Sequence, residues 1–282
     1  MRKLLFIIVL IELFIMIYSK EIIKEFSLTI NICLYSLMPT LFFQIFLSNI
    51  LFNINISNYI PKSLCNFFNV TKDELLIILL SIFSGYPNNI RLLNNSTNEY
   101  LYYVSNYVNP LFVIGTVGTL YLYDKSLSII ILISHIISNI IMLFIFRNKY
   151  TSYEYKRNIT SNLYINSINN TVKSLTIIFS NLLIISLLVT IIKLILKDSL
   201  IRGVILGLIE FSKGCFEISL LDINIYIKGL IILIFITFGS ISIHMQMISF
   251  NNKIKYIKFL LFRILNVLIT IIIYFLLLMN KI

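Results

Sequence analysis

The chain is built from long, unbroken apolar runs separated by short polar stretches, and that pattern leaves few folds open to it. Runs such as 126–146, 175–196 and 259–279 reach the roughly 20 residues that a helix needs to cross a bilayer. In hydrocarbon only helices and closed barrels satisfy their own backbone groups. Barrel strands would alternate apolar and polar residues over segments of about ten, whereas these runs are continuous. The expected fold is therefore all-α, a polytopic helical membrane protein. Composition agrees: 12% of residues are charged, about half the share of an ordinary soluble domain.

The formal charge of +11 does not point to nucleic acid. Lysine and arginine gather between the apolar runs, as the positive-inside rule produces, so the expected partner is the lipid bilayer. Cys33, Cys65 and Cys215 stand far apart without C-x-x-C spacing, which indicates neither a disulfide framework nor a zinc site. The sequence has no alanine and no tryptophan and is rich in Ile, Asn, Lys, Tyr and Phe. Those residues have AT-rich codons, which points to a low-GC bacterium. Interfacial anchoring then falls to tyrosines such as Tyr18, Tyr121, Tyr123 and Tyr150.

Along the chain, residues 1–25 are expected to form an uncleaved, signal-anchor-like membrane helix, because Glu12 interrupts the apolar core and no small-x-small site follows. Residues 26–150 form a first membrane half, 151–173 a basic cytoplasmic loop, and 174–282 a second half. The basic stretches with Arg147, Lys149, Lys156 and Arg157, and with Lys253, Lys255 and Lys258, are expected to share the cytoplasmic side with the N-terminus, which puts the C-terminus outside. Pro39 should kink the run at 26–52. Several pieces are too short or too broken to span simply: 75–87, 108–123, 204–211 and 230–250. They are expected to be interrupted or re-entrant helices. Their order repeats between the halves, which raises two inverted repeats with a binding site near the midplane.

Four stretches are polar where a membrane makes polarity costly. The first holds Ser84, Gly85, Tyr86 and Pro87, with Arg91 nearby. The second holds Asn106, Asn109 and Pro110, where asparagine followed by proline suits a helix start. The third holds Glu210, Ser212 and Lys213; Glu210 and Lys213 have the spacing of a helical ion pair. The fourth holds Ser242, His244 and Gln246. Asn106 and Asn109 are the expected hydrogen-bonding residues of a site shaped by Gly85, Pro87 and Pro110, with Arg91, Lys213 and His244 as cationic partners for carboxylates. The same side chains also serve as glue between helices, the role expected of His135, while Arg263 has the reach to snorkel to the interface. No catalytic, metal or cofactor motif is present, so neither an enzyme nor a cofactor is expected.

These stretches resemble a known family. Ser36-Leu37-Met38-Pro39-Thr40-Leu41-Phe42 with Ser48-Asn49, then Ser84-Gly85-Tyr86-Pro87, then Asn106 and 109–118, then 207–214 and 238–246, follow in order the motifs of the sporulation integral membrane protein YlbJ family. The family is related to nucleoside-recognition or "gate" membrane domains. The chain departs at Phe43-Gln44, Asn88-Asn89 and Ser240, which bears on the ligand site more than on the fold. The resemblance implies a role in endospore formation, transport of dipicolinic acid into the developing spore, residence in the outer forespore membrane, and homo- or hetero-oligomeric partners. Three readings follow: a transporter of a small anionic solute such as dipicolinate, a non-transporting scaffold for spore-envelope assembly, and a nucleoside-type permease. A carrier should hold a polar pocket between 84–91, 106–118 and 207–246. A scaffold should be packed shut there. A permease should set the Tyr86 and Tyr107 rings beside the asparagines.

Overall fold

Side-chain direction on the last helix, Tyr256–Met279, shows how this chain meets its surroundings. Phe259, Arg263, Asn266, Thr270 and Tyr274 are buried, while Leu261, Leu265, Leu268, Ile272 and Leu276 stand exposed. Both sets recur at three- and four-residue steps, so each forms one face of the helix. The polar face points inward and the apolar face outward, the reverse of a soluble protein. The helix Lys125–Ile145 does the same, burying Ser134, His135, Ser138 and Asn139 and exposing Ile129, Ile133, Ile137 and Ile140. Among the described residues four helices are long and apolar enough to cross a membrane, and five if the bent pair 19–53 is counted as one span. The chain is a multi-pass helical membrane protein.

The computed structural model describes residues 2–54, 56–93, 98–147, 162–251 and 254–279, and among these there is no strand. Lys149, Tyr150, Lys156, Arg157 and Lys253 lie outside them. In chain order the helices are α1 (Arg2–Ile17), α2 (Ser19–Asn31), α3 (Met38–Asn53), α4 (Lys62–Phe68), α5 (Lys72–Ser84), α6 (Asn88–Leu93), α7 (Glu99–Val104), α8 (Lys125–Ile145), α9 (Leu163–Ile195), α10 (Ser199–Ile209), α11 (Phe211–Ser219), α12 (Ile225–Phe238), α13 (Ser240–Phe250) and α14 (Tyr256–Met279). α3 packs on α9, α14 on α8 and α12, and α10 on α11.

The kink expected at Pro39 is present and has a specific form. Proline lacks the N–H that would bond to the carbonyl four residues back. The chain widens into a π-helical turn, Ile32–Leu37, and the Met38 N–H reaches five residues back to the Cys33 carbonyl. The segments on either side meet at 46°. A second π-helix, Phe112–Tyr121, follows Pro110.

Two expectations need correction here. Residues 163–173, expected in a basic loop, belong to α9, so the boundary at 174 falls inside a helix. Two of their polar residues, Ser167 and Thr171, are buried against α3: Asn49 Nδ2 donates to Thr171 Oγ1 at 3.1 Å and to the Ser167 carbonyl at 3.5 Å. Arg263 does not snorkel; it is 1% exposed and turned into the core.

α5 begins with a capping box. The Glu74 N–H donates to Thr71 Oγ1 at 3.2 Å, and the Thr71 N–H donates to Glu74 Oε2 at 3.0 Å. Thr71→Ala is expected to cost about 1 kcal/mol, read as a lowered unfolding midpoint of the detergent-solubilised protein.

Candidate functional site

The first half is interrupted twice, and the interruptions cross. α5 stops at Ser84; Gly85 has φ +71°, and Tyr86-Pro87 is cis. The Tyr86 N–H donates to the Tyr107 carbonyl at 2.7 Å, tying this break to the non-helical residues 105–109. A Cβ on Gly85 would lie 2.7 Å from the Asn109 nitrogen, so glycine is needed both for its φ and for the approach. The Val108 N–H donates to His135 Nε2 at 3.0 Å. Asn109 Oδ1 accepts from the Leu111 N–H at 2.8 Å, starting the helix as its sequence suggests. Asn109 Nδ2 donates to Gln44 Oε1 and to the Thr40 carbonyl.

The neighbouring polar side chains stitch the crossing together. Asn89 Nδ2 donates to the Ser105 carbonyl and to Asn106 Oδ1. Asn106 Nδ2 donates to the carbonyls of Tyr102 and Tyr103. Asn88 Nδ2 donates to Ser84 Oγ, and Arg91 donates to Asn88 Oδ1 and Asn49 Oδ1. Asn106 and Arg91 therefore work within the first half.

In the second half α10 and α11 form a hairpin. Both are too short to cross a bilayer, and the pair turns back on itself as a re-entrant element. Arg202 bridges to Glu217 at 3.3 Å near the open end, and Gly207 meets Gly214 near the tip. The turn is Glu210. It caps α11: Oε2 accepts from the Lys213 N–H at 2.7 Å and from Ser212 Oγ at 2.6 Å. The expected Glu210–Lys213 ion pair does not form, because the Glu210 side chain folds onto the backbone while Lys213 extends away. Lys213 Nζ instead binds Glu25 Oε1 and, at 2.7 Å, Thr29 Oγ1 on α2. Glu25 also bridges to Lys193, which reaches Glu217. This network borders a groove of about 440 Å3 that includes Tyr35 and Tyr121.

α12 and α13 form one apolar span broken near its middle at Gly239. A helix end leaves carbonyls without intrahelical partners, and here each finds one. The Phe235 carbonyl accepts from the Gly239 N–H, and that of Ile236 from Tyr86 Oη at 3.4 Å. The Thr237 carbonyl accepts from Arg263 Nη2, and that of Phe238 from Arg263 Nε and from His244 Nε2 at 3.0 Å. His135 Nδ1 meets Thr237 Oγ1 at 3.1 Å. Since His135 Nε2 accepts from Val108, the proton sits on Nδ1. A cation at a helix C-terminus complements the helix dipole, and Arg263 occupies that place.

The breaks enclose a cavity with about 40 Å3 open to water centres, room for a few waters. Tyr86, Asn109, Glu210 and Gln246 line it with Thr40, and apolar side chains complete the wall. Ser242 supports the site by accepting from Gln246 Nε2 at 3.3 Å. Gly85 is packed against Asn109, and Pro87 and Pro110 flank the crossing. Arg91, Asn106, Lys213 and His244 do not line the cavity, and the polar wall there is mainly acceptor oxygen. The sequence reading missed Arg263 as a buried cation, Glu25 as the partner of Lys213, and Thr40 as a lining residue. An acid within the run 21–25 and an arginine inside an apolar run were the available signals. The chain matches no protein-family model, no curated protein and no solved structure.

Proposed function

We propose that this protein is a membrane carrier of a small anionic solute such as dipicolinate, acting in endospore formation, and not an enzyme. The observation that carries the reading is the meeting of broken helices from both halves around one mostly apolar cavity whose wall includes Thr40, Asn109, Glu210 and Gln246. Irregular backbone at membrane depth is tolerated where it is buried in protein or lines a cavity, and carriers place their sites there. Anion preference has support in Arg263. Its guanidinium is buried, it has no carboxylate within 4 Å among the described residues, and Nη1 has no hydrogen-bond partner. Burying a charge costs several kcal/mol, and the Thr237 and Phe238 carbonyls at the end of α12 offset only part of it for Arg263. Arg263 thus becomes the candidate anion partner in place of Arg91, Lys213 and His244, reachable only in a more open state, because it too is absent from the wall of the closed cavity. The choice of dipicolinate and of the forespore membrane rests on the motif resemblance.

The cavity's 40 Å3 is too small for such a solute, so the carrier reading requires a more open state. The same closure favours the second reading, a non-transporting scaffold of the spore envelope. The nucleoside reading has less support: the Tyr107 ring is fully buried and meets His135 edge-on, and is not among the residues lining the cavity. Spores of a strain lacking the protein are expected to be depleted of dipicolinic acid while the mother cell still makes it. Chemical assay of both compartments decides the matter, and normal spore content would shift the weight to the scaffold.

A further inference from the structure

Glu210 sits at the tip of the re-entrant hairpin with its two carboxylate oxygens in different states. Oε2 accepts two hydrogen bonds, whereas Oε1 is buried without a partner. Gln246, on α13, shows the same asymmetry. Its amide nitrogen donates to Ser242, one turn back, and its Oε1 is buried without a partner. Both residues are 1% exposed, and both line the central cavity. An unpaired buried acceptor costs about 1–3 kcal/mol, and here two share one small space. Neither oxygen satisfies the other, because a carboxylate oxygen and an amide oxygen both act as acceptors.

We infer that Glu210 and Gln246 form the core of a binding site for one sodium ion. Their oxygens are hard ligands suited to such a cation. Thr40 and Asn109 line the same wall. Asn109 Oδ1 accepts a single hydrogen bond, from the Leu111 N–H. The space admits an ion with one or two waters and excludes a bulky organic cation. One carboxylate balances one positive charge, and among the described residues no three of His, Cys, Asp and Glu come together as a transition metal would require. Among the described residues no cationic side chain lies within 4 Å of the Glu210 carboxylate, and the nearest lysine in sequence, Lys213, is held by Glu25 and Thr29.

The site gives the carrier reading its coupling ion, and only that role depends on it; binding itself does not. A cation held by the hairpin tip and by α13 would join two elements that bound the cavity, so its arrival and loss would favour different degrees of closure.

The test uses the full chain purified in detergent. Its unfolding midpoint is followed in sodium chloride against choline chloride at equal ionic strength, at pH 6 and pH 8. The midpoint is expected to rise by several degrees with sodium and to saturate. Glu210→Gln keeps an acceptor for the α11 cap but loses the charge, and Gln246→Leu removes the amide ligand. Each is expected to abolish the sodium response while the protein stays folded in choline. If Glu210→Gln does not fold, Gln246→Leu alone decides. A wild-type midpoint indifferent to sodium at both pH values would overturn the site, as would a sodium response surviving in the folded variants. A midpoint that follows pH but not sodium would replace the ion with a proton. Sodium binding without dipicolinate carriage would keep the site and remove only its coupling role.

Discussion

Gly214→Ala is expected to lower stability by more than about 3 kcal/mol, enough to deplete the protein from the membrane. The added Cβ would fall onto Gly207 Cα and its backbone nitrogen. Backbone atoms of a packed helix cannot rotate aside as a side-chain tip can, so α10 and α11 would have to part. That movement would disturb Glu210, which caps α11 at the tip, and Phe235 of α12, whose ring lies against Gly207. The same chemical change at Gly115 provides the control. A Cβ there meets nothing within 4 Å, and alanine in a helix is favoured over glycine by roughly 0.5–1 kcal/mol. The two variants should therefore move in opposite directions in an unfolding titration of the purified protein. A Gly214→Ala protein as stable as wild type would mean that the hairpin does not close at these two glycines.

The second large effect concerns Glu25 and Lys213. Both are about 6% exposed, and their charges meet between α2 and α11. Glu25→Leu leaves the Lys213 ammonium buried with Thr29 as its remaining partner, and a loss of about 3–5 kcal/mol is expected. Lys213→Met should cost less, because Lys193 still pairs with Glu25 at 3.0 Å. The double variant removes both buried charges and should be more stable than Glu25→Leu alone. Measuring all four proteins gives the coupling directly. Additive losses would show that the two charges do not act as a pair.

The sequence made some of these features legible and hid others for physical reasons. Apolar run length showed the membrane class, and glycine or proline next to polar residues marked the breaks at Gly85, Asn109-Pro110 and Gly239. These are local signals, and local chemistry determines them. The start of α9 was hidden because Ser167 and Thr171 look like loop residues until α3 supplies their partner. The Glu210–Lys213 spacing suggested an ion pair that would have needed a helix running through both residues. Glu210 instead ends one helix and caps the next, so its carboxylate turns to the backbone. Lys213 found Glu25, 188 positions earlier, a choice no spacing rule encodes. Arg263 looked like a residue near a helix end; only the fold shows that it faces the interrupted end of α12.

That interrupted end also bears on how far the molecule can move. Its carbonyls are gripped by Arg263 and His244, which belong to the second half and would travel with it. Among the described residues, the first half contributes Tyr86, on the Ile236 carbonyl, and His135 of α8, on the Thr237 hydroxyl. Neutral hydrogen bonds of this kind are worth about 1 kcal/mol each. Locally, drawing the first break and α8 away from α12 would give up these two bonds and no ion pair. The latch at the centre of the molecule is therefore weak by construction: the charged grip stays whole on one side, and the side that lets go holds by two uncharged fingers.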